Sequence, residues 1–195
     1  TTFADAISIV DKYNLRTALP KSIVNSLEKG QSGAIKETLK STDFKTLNMK
    51  NHIVGTNIKA ARAAKIKADA LGFNSLILTS HLVGHTHNVA QTLSAIIQTE
   101  VDYEHPAIKP ACLIFGGETT VEVKGEGKGG RNQDLSLLMV KEIADQAGVL
   151  FISLATDGED GPTDAAGAAI DSRVYGESIE TQGLDINAYI VNNDS

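Results

Sequence analysis

The sequence predicts an α/β protein, because short apolar segments of strand length alternate with longer segments in which apolar residues recur at helical spacing. The apolar segment 75–79 is followed by a helical pattern in 89–97, and the apolar segment 111–115 by a predicted helix over 132–147. Successive strand–helix units favour a parallel sheet. The core stripe predicted for the last of these helices is Leu135, Leu138, Met139 and Ile143.

Composition limits the classes of function. The 195 residues suffice for one sizeable domain or two small ones, and the net charge of -6 argues against a nucleic-acid groove, which needs a basic face. No apolar run approaches the roughly 20 residues that span a bilayer, and no signal peptide is evident. The single cysteine excludes an intramolecular disulfide. We therefore expect a cytoplasmic protein with neither nucleic-acid nor membrane partners.

The N-terminal third contains helix signals and a polar segment. Helices are predicted over 2–15 and 20–29, with Gly30 in the C′ position that follows a helix. The polar residues 31–50 are typical of a linker, and His52-Ile53-Val54 predicts a short strand.

Three further elements bear on the candidate site. The turn Gly55-Thr56-Asn57 is expected to cap a helix that ends near Gly72. Residues 118–124 alternate between polar and apolar, which predicts a half-exposed strand, antiparallel or at a sheet edge. The apolar segment 149–154 predicts a buried strand, preceded by Gly148 as the cap of the helix before it.

The glycine-rich segment 125–130 contains the spacing G-x-G-x-x-G. A dinucleotide site is disfavoured, since the preceding strand alternates and the acid at the expected distance, Asp145, falls inside a predicted helix. An anion site fits better, because backbone N–H groups and a helix N-terminus would meet the cations Lys124, Lys128 and Arg131. A flexible hairpin with solvated lysines is the alternative.

The acidic loop 156–164 follows the predicted strand 149–154. Its residues Asp157, Asp160 and Asp164 offer hard oxygen ligands of the kind that hold Mg²⁺ together with substrate phosphates. The alternative is that these aspartates form turns or cap a helix. A cationic glycine loop and an acidic strand-end loop in one domain point to phosphoryl transfer.

Four motifs lead to a family. Residues 115–121, 129–133, 155–158 and 160–168 resemble, in order and spacing, the C-terminal MOFRL domain of the class II glycerate kinases, whose members have also been called hydroxypyruvate reductases. Residues 1–109 resemble the end of the N-terminal kinase domain of that family.

The resemblance implies three-layer αβα sheets in two Rossmann-like lobes, the C-terminal lobe with a mixed sheet. Residues 1–109 would form the last part of the kinase domain with a linker, and residues 110–195 a MOFRL domain truncated at its C-terminus. The implied reaction is ATP-dependent phosphorylation of D-glycerate to 2-phosphoglycerate with Mg²⁺ or another divalent cation. A homodimer is one possible assembly.

Other functions stay open from the sequence. One is NAD(P)H-dependent reduction of hydroxypyruvate, and another is a non-catalytic ligand-binding module when the chain is isolated. Since the family's catalytic lysine lies in a segment that these 195 residues do not include, the isolated chain is expected to be inactive.

The resemblance also implies roles for individual residues. Arg131 would neutralise the transferred phosphoryl group or hold the glycerate carboxylate, and Asp157 would either bind the metal or orient the attacking hydroxyl. The residues implied in binding substrate or phosphate are Glu118, Lys128, Gly129, Gly130 and Asn132. Those implied in binding metal are Asp157 and Asp160.

Overall fold

The structure is a computed structural model, and it describes residues 1–46 and 50–195. It divides into two compact units, Thr1–Ile53 and Val54–Ser195. Residues 47–49, part of the linker predicted over 31–50, lie outside the described residues.

The first unit contains two α-helices, α1 (Phe3–Lys12) and α2 (Lys21–Gln31), and the short 3₁₀ helices Leu15–Thr17 and Asp43–Thr46. Gly30 is helical and buried within α2, so its prediction as a residue beyond the helix end is wrong. A Cβ at Gly30 would overlap the ring of Phe3, which shows that glycine serves the packing of α2 against α1.

The second unit is a mixture of helices and strands, which confirms the α/β class. Its elements are α3 (Asn57–Ala70), β1 (Asn74–His85), α4 (Thr86–Tyr103), β2 (Ala111–Thr120), α5 (Arg131–Glu142), β3 (Leu150–Leu154), β4 (Gly167–Asp171), α6 (Arg173–Gly176), a π-helical turn (Glu177–Thr181) and α7 (Ile186–Asn192). Within residues 1–46 and 50–195, no helix has both the length and the apolar character needed to cross a membrane.

The strand predicted over 52–54 is absent. Residues 51–56 have no regular structure, and the side chains of Ile53 and Val54 are 76% and 90% exposed. Two adjacent apolar residues are not sufficient for a strand where no neighbouring strand or helix covers them.

Strands β1 and β2 pair in parallel, from Asn74 opposite Ala111 to His85 opposite Thr120, which confirms the predicted parallel pairing. The separate strand predicted over 118–124, and its antiparallel alternative, are wrong, since β2 continues to Thr120 in the same parallel ladder and residues 121–124 are not in a strand. The alternative of an edge position is confirmed for 118–120, because within the described residues the sheet has only the two strands β1 and β2. Gly117 allows this continuation, because a Cβ there would overlap the carbonyl oxygen of Leu82 in β1.

Strands β3 and β4 pair antiparallel, and the strand predicted as buried over 149–154 is covered on one face only. Leu150, Ile152 and Leu154 are 64%, 54% and 57% exposed, whereas Phe151 packs against the buried core. The apolar character of this segment therefore indicated a strand correctly but not its burial.

Helix α5 lies at the centre of the core, where it contacts α4 and both strands of the second sheet, β3 and β4. It ends at Glu142, five residues before the predicted end, and Ile143 is its C-cap residue. The predicted core stripe is confirmed, with Met139 and Ile143 fully buried. The core consists of Val89, Ala90 and Leu93 of α4, Leu135, Leu138, Met139 and Val140 of α5, Ile143, Ile170 of β4 and Ile186 of α7.

The burial of Ile143 makes a matched comparison possible. Ile143→Ala should lower the free energy of unfolding by about 2–5 kcal/mol, because it leaves a cavity in the core. Ile66→Ala in α3, where the side chain is 70% exposed, should change it by about 0.5 kcal/mol or less. Urea unfolding of the protein with its complete natural sequence measures both, and equal losses would contradict the assignment of the core.

Candidate functional site

The N-terminus of α5 is capped by a carboxylate from another part of the chain. Asp160, in the loop between β3 and β4, is 2% exposed. Its Oδ1 accepts hydrogen bonds from the backbone N (3.1 Å) and Nδ2 (3.0 Å) of Asn132. Its Oδ2 accepts from the backbone N (2.8 Å) and Nε2 (3.1 Å) of Gln133. The N-cap residue Gly130 has no side chain, so Asp160 supplies the capping oxygens that α5 lacks locally.

These contacts determine the charge of Asp160. Burial alone would raise the pKa of its carboxyl, but the hydrogen bonds from Gln133 and Asn132 outweigh it and hold the pKa below its ordinary value. The ionised carboxylate also interacts favourably with the positive end of α5. Because each oxygen of Asp160 already accepts two N–H bonds, its role as a metal ligand stays a prediction without support from this geometry.

The network extends from the cap into the second sheet and the loop. The Oδ1 of Asn132 accepts a 2.8 Å hydrogen bond from the hydroxyl of Ser153 in β3. The Nε2 of Gln133 donates to the Oγ1 of Thr163 at 2.8 Å, and that hydroxyl donates to the carbonyl of Asp160 at 2.8 Å. The amide of Asn132 is therefore engaged by protein atoms at both ends, and its contact with substrate stays a prediction.

Gly129 and Gly130, which were predicted to bind phosphate, lie in close contact with the loop between β3 and β4. A Cβ at Gly130 would overlap the carboxyl carbon of Asp160, and Gly129 presents its carbonyl oxygen where a Cβ of Gly161 would lie. Gly161 has a φ of +65°, a conformation that glycine adopts without strain. Close packing of the two loops is a sufficient reason for glycine at these positions.

The glycine loop, residues 122–130, is hydrogen-bonded to residues 192–195, which are the last residue of α7 and the three that follow it and are called the tail of α7. The backbone N–H groups of five consecutive residues, 124–128, all donate to oxygens of the tail. Their acceptors are Asn193 Oδ1 for Lys124 (2.7 Å) and Gly125 (2.9 Å), Asn192 Oδ1 for Glu126 (3.2 Å), the Asn192 carbonyl for Gly127 (2.9 Å) and Asp194 Oδ1 for Lys128 (3.0 Å). The N–H groups predicted to face an anion are thus occupied by the protein itself.

The cations of this region differ in their surroundings. Arg131 Nη1 lies 2.8 Å from Glu118 Oε1, with the two side chains 42% and 69% exposed. Lys124 lies 2.9 Å from Glu122 and is largely exposed. Such exposed pairs contribute about 0–1 kcal/mol to stability. The Arg131–Glu118 pair is therefore of interest for the orientation of the guanidinium and not for its stabilising energy.

Asp157 is exposed at the start of the loop that carries Asp160. Its Oδ1 accepts a 3.4 Å hydrogen bond from the backbone N of Glu159, an arrangement typical of an Asx turn. The residue before it, Thr156, lines a groove of about 580 Å³. The other residues that line this groove are Val54, Gly55, Thr56, Asn57, Lys59 and Ala60.

The groove adjoins the middle of β2. Thr56 caps α3, as predicted, by accepting a 3.3 Å hydrogen bond from the backbone N of Lys59. Asn57 donates to the carbonyl of Ser80 in β1 at 2.9 Å, and a Cβ at Gly116 would overlap its side-chain oxygen. Glu118 follows two residues later in β2.

The contacts of the tail and the position of the groove were not predicted from the sequence. Asn193 adopts a left-handed conformation (φ 55°) after α7, and Asn is one of the few residues that tolerate it. That preference signals a helix end, but no local signal pairs Asn193 with residues almost 70 positions earlier.

Asp160 and Asp157 allow a comparison of two aspartates in one loop. Asp160→Asn should lower the free energy of unfolding by about 2–4 kcal/mol, because an NH₂ group would face the N–H donors of Asn132 or Gln133. Asp157→Asn, at an exposed position, should change it by about 0.5 kcal/mol or less. Denaturant unfolding at neutral pH measures both.

The pH dependence supplies the control. A lowered folded-state pKa means that the stabilisation by Asp160 is complete above the ordinary aspartate pKa of about 3.9 and is lost as the pH falls through the lower folded value. The difference in the free energy of unfolding between the natural protein and Asp160→Asn should therefore become smaller as the pH is lowered. Equal stability of the two variants at neutral pH would contradict the capping role.

Comparisons with known proteins agree with the motifs. Residues 111–195 match the MOFRL family. The chain is 34% identical over 196 residues to a glycerate 2-kinase of Pyrococcus horikoshii and 35% identical over 195 residues to a D-glycerate 2-kinase of Thermotoga maritima. The crystal structure of the glycerate kinase from Thermotoga maritima superposes with a TM-score of 0.75 at 34% identity, over all of this chain and 44% of that one.

The chain covers 43% of the length of each of these two relatives. The predicted boundary between 109 and 110 stays a prediction, although the family match begins at residue 111. Residues 111–195 thus match the MOFRL family, in a chain that is similar along its whole length to glycerate kinases.

Proposed function

We propose that this chain forms part of an ATP-dependent kinase that phosphorylates the 2-hydroxyl of D-glycerate. The observation that carries the proposal is the position of Arg131 at the capped N-terminus of α5, with its guanidinium 42% exposed and directed by Glu118. The similarity to glycerate kinases supports this choice among the reactions that transfer a phosphoryl group.

Arg131 would engage the substrates through its planar guanidinium. Two parallel N–H donors match the oxygens of a phosphoryl group or of the glycerate carboxylate. Its partner Glu118 is exposed, so exchanging that carboxylate for an anionic substrate costs little. The guanidinium would then stabilise negative charge on the transferred group.

Asp157 fits a metal site made jointly with substrate. Its carboxylate is exposed and has hard oxygens, whereas the described residues contain no cluster of three or more His, Cys, Asp or Glu side chains suited to a metal ion. Mg²⁺ is commonly held by one or two carboxylates together with phosphate oxygens. When bound with ATP, Mg²⁺ neutralises charge on the phosphates. The other role proposed for Asp157 is to orient the attacking hydroxyl.

The groove beside α3 is the proposed entry for a small-molecule substrate. Its volume of about 580 Å³ lies in the range of small-molecule sites. Lys59 on its wall suits an anionic ligand. Since the chain covers 43% of its relatives, we also propose that these 195 residues alone do not complete the site and are inactive.

A coupled assay of the protein with its complete natural sequence tests the function. ATP, Mg²⁺ and D-glycerate should give ATP-dependent product, and phosphorus NMR should place the phosphate on O2. Oxidation of NADH with hydroxypyruvate, without consumption of ATP, would instead identify a reductase. The 195-residue chain assayed in parallel should give no turnover.

Arg131→Lys tests whether the planar, paired N–H donors of the guanidinium are needed for activity. The variant keeps the charge but loses the bidentate geometry, so kcat should fall by about 10-fold to 1000-fold. The control is Arg173→Lys in α6, where Arg173 forms an exposed pair with Asp171, and this variant should retain nearly full activity. If both variants keep the natural rate, Arg131 does not act on the substrates.

Asp157→Asn tests the charge at the start of the acidic loop. It should lower Mg²⁺-dependent activity at least about tenfold with little change in Tm, because the substitution preserves shape and removes a metal ligand. Recovery at raised Mg²⁺ would identify metal binding, and a loss insensitive to Mg²⁺ would identify hydroxyl orientation. Asp145→Asn, at an exposed turn, is the matched control. Normal activity with a large fall in Tm would make Asp157 structural.

A further inference from the structure

We propose that residues 192–195, the tail of α7, hold the glycine loop in place and that Asn193 is the positioning residue of this contact, called the clasp, which fixes the backbone leading to Arg131. The effect on catalysis rests on the proposed function, whereas the clasp itself does not. Asn193 would act through the backbone of the glycine loop and not by touching a substrate.

The side chain of Asn193 is the centre of the contact. Its Oδ1 accepts the N–H groups of Lys124 and Gly125 at 2.7 and 2.9 Å. Its Nδ2 donates to the carbonyl of Glu122 at 3.3 Å. Two successive N–H groups that converge on one oxygen form the kind of concavity that binds anions, and here the occupant is an amide oxygen of the same chain.

The glycines of the loop allow the tail to approach. A Cβ at Gly125 would overlap the carbonyl oxygen of Asn192, and a Cβ at Gly127 would lie 2.5 Å from the Cβ of Asp194. The backbone N of Ser195 donates to the carbonyl of Lys128 at 3.0 Å, which extends the contact along the loop. Glycine in this segment therefore suits the seating of the tail, and a phosphate could use these N–H groups only by displacing it.

The tail is anchored to the same core that holds α5. It continues directly from α7, whose Ile186 is 4% exposed within the core cluster and whose Ile190 packs against that cluster. The left-handed backbone of Asn193 turns the chain at the end of α7. The tail is thus a rigid extension of a packed helix.

The contact between the tail and the glycine loop ends at Lys128, three residues before Arg131, the catalytic candidate. Only Gly129 and Gly130 separate Lys128, whose N–H and C=O both bind the tail, from Arg131. Two glycines have wide conformational freedom unless both flanking segments are held. Asp160 holds the α5 side, and the tail holds the Lys128 side. Arg131 consequently projects from a backbone that is restrained in both directions.

Asn193→Gly in the protein with its complete natural sequence tests the proposal. Glycine keeps the left-handed backbone and removes only the side-chain contacts. Asn14→Gly is the matched control, because Asn14 has a φ of 54° and no side-chain capping bond. Hydrogen exchange of the amides of 124–128, kcat, KM and Tm are measured for both.

We expect the amides of Lys124 and Gly125 to exchange at least about tenfold faster in Asn193→Gly than in Asn14→Gly. Activity with ATP and D-glycerate should fall about 3-fold to 30-fold in kcat/KM, mainly through kcat, with a similar Tm. Should Asn193→Gly fail to fold, Asn192→Ala removes the acceptor of the Glu126 N–H, and faster exchange at that amide is the expected result.

Unchanged exchange would overturn the clasp. Faster exchange with natural kcat/KM would overturn the positioning role and leave the proposed reaction intact. Failure of the proposed function is distinguishable, since it would appear as absent kinase activity in the natural protein while exchange still reports on the clasp. Faster exchange of the Ser195 amide, which donates to the Lys128 carbonyl, on addition of ATP and Mg²⁺ would also overturn the proposal, because it would mean that phosphates displace the tail.

Discussion

The buried carboxylate of Asp160 joins the N-terminus of α5 to the loop between β3 and β4. It supplies acceptors for the first N–H groups of a helix whose N-cap residue is Gly130. The same helix carries Met139 into the centre of the core. Helix α5 therefore connects the packed core to its own first residue, Arg131, whose side chain is 42% exposed. The position of the Arg131 backbone in the candidate site follows from the packing of this helix.

Features that look like a phosphate-binding signature have a second explanation in packing. A side chain at position 130 would overlap Asp160, and one at position 125 would overlap the backbone of Asn192. The N–H groups of the loop are satisfied by Asn and Asp oxygens of the tail. The side chains of Glu118 and Asp157 are exposed and that of Arg131 is 42% exposed, so all three are accessible to a ligand.

Local patterns predicted what local physics determines. The parallel strand pair, the core stripe of α5 and the cap at Thr56 depend on periodicity and capping preferences within a few residues. The family motifs also brought Glu118 and Arg131 to attention together, and they form an ion pair. The burial of β3 was not predictable in this way, because it depends on whether a second layer covers Leu150, Ile152 and Leu154.

The partners of the glycine loop were beyond local reasoning for a related reason. A backbone N–H is the same donor whether its acceptor is a phosphate or the amide oxygen of Asn193, and only the tertiary fold decides between them. The same holds for Asp160, since a carboxylate that caps a helix and one that binds a metal have the same sequence neighbours. Charge and spacing indicated the region, and contacts between distant segments determine which of its polar groups are hydrogen-bonded within the protein.

A crystal structure of the protein with its complete natural sequence, bound to Mg²⁺, a non-hydrolysable ATP analogue and D-glycerate, would test this account most directly. We predict that the guanidinium of Arg131 contacts an anionic group of a substrate, that Asp160 keeps its hydrogen bonds to Asn132 and Gln133, and that the tail of α7 stays on the glycine loop. Coordination of the metal by Asp160, or phosphate oxygens on the N–H groups of 124–128 with the tail displaced, would contradict it.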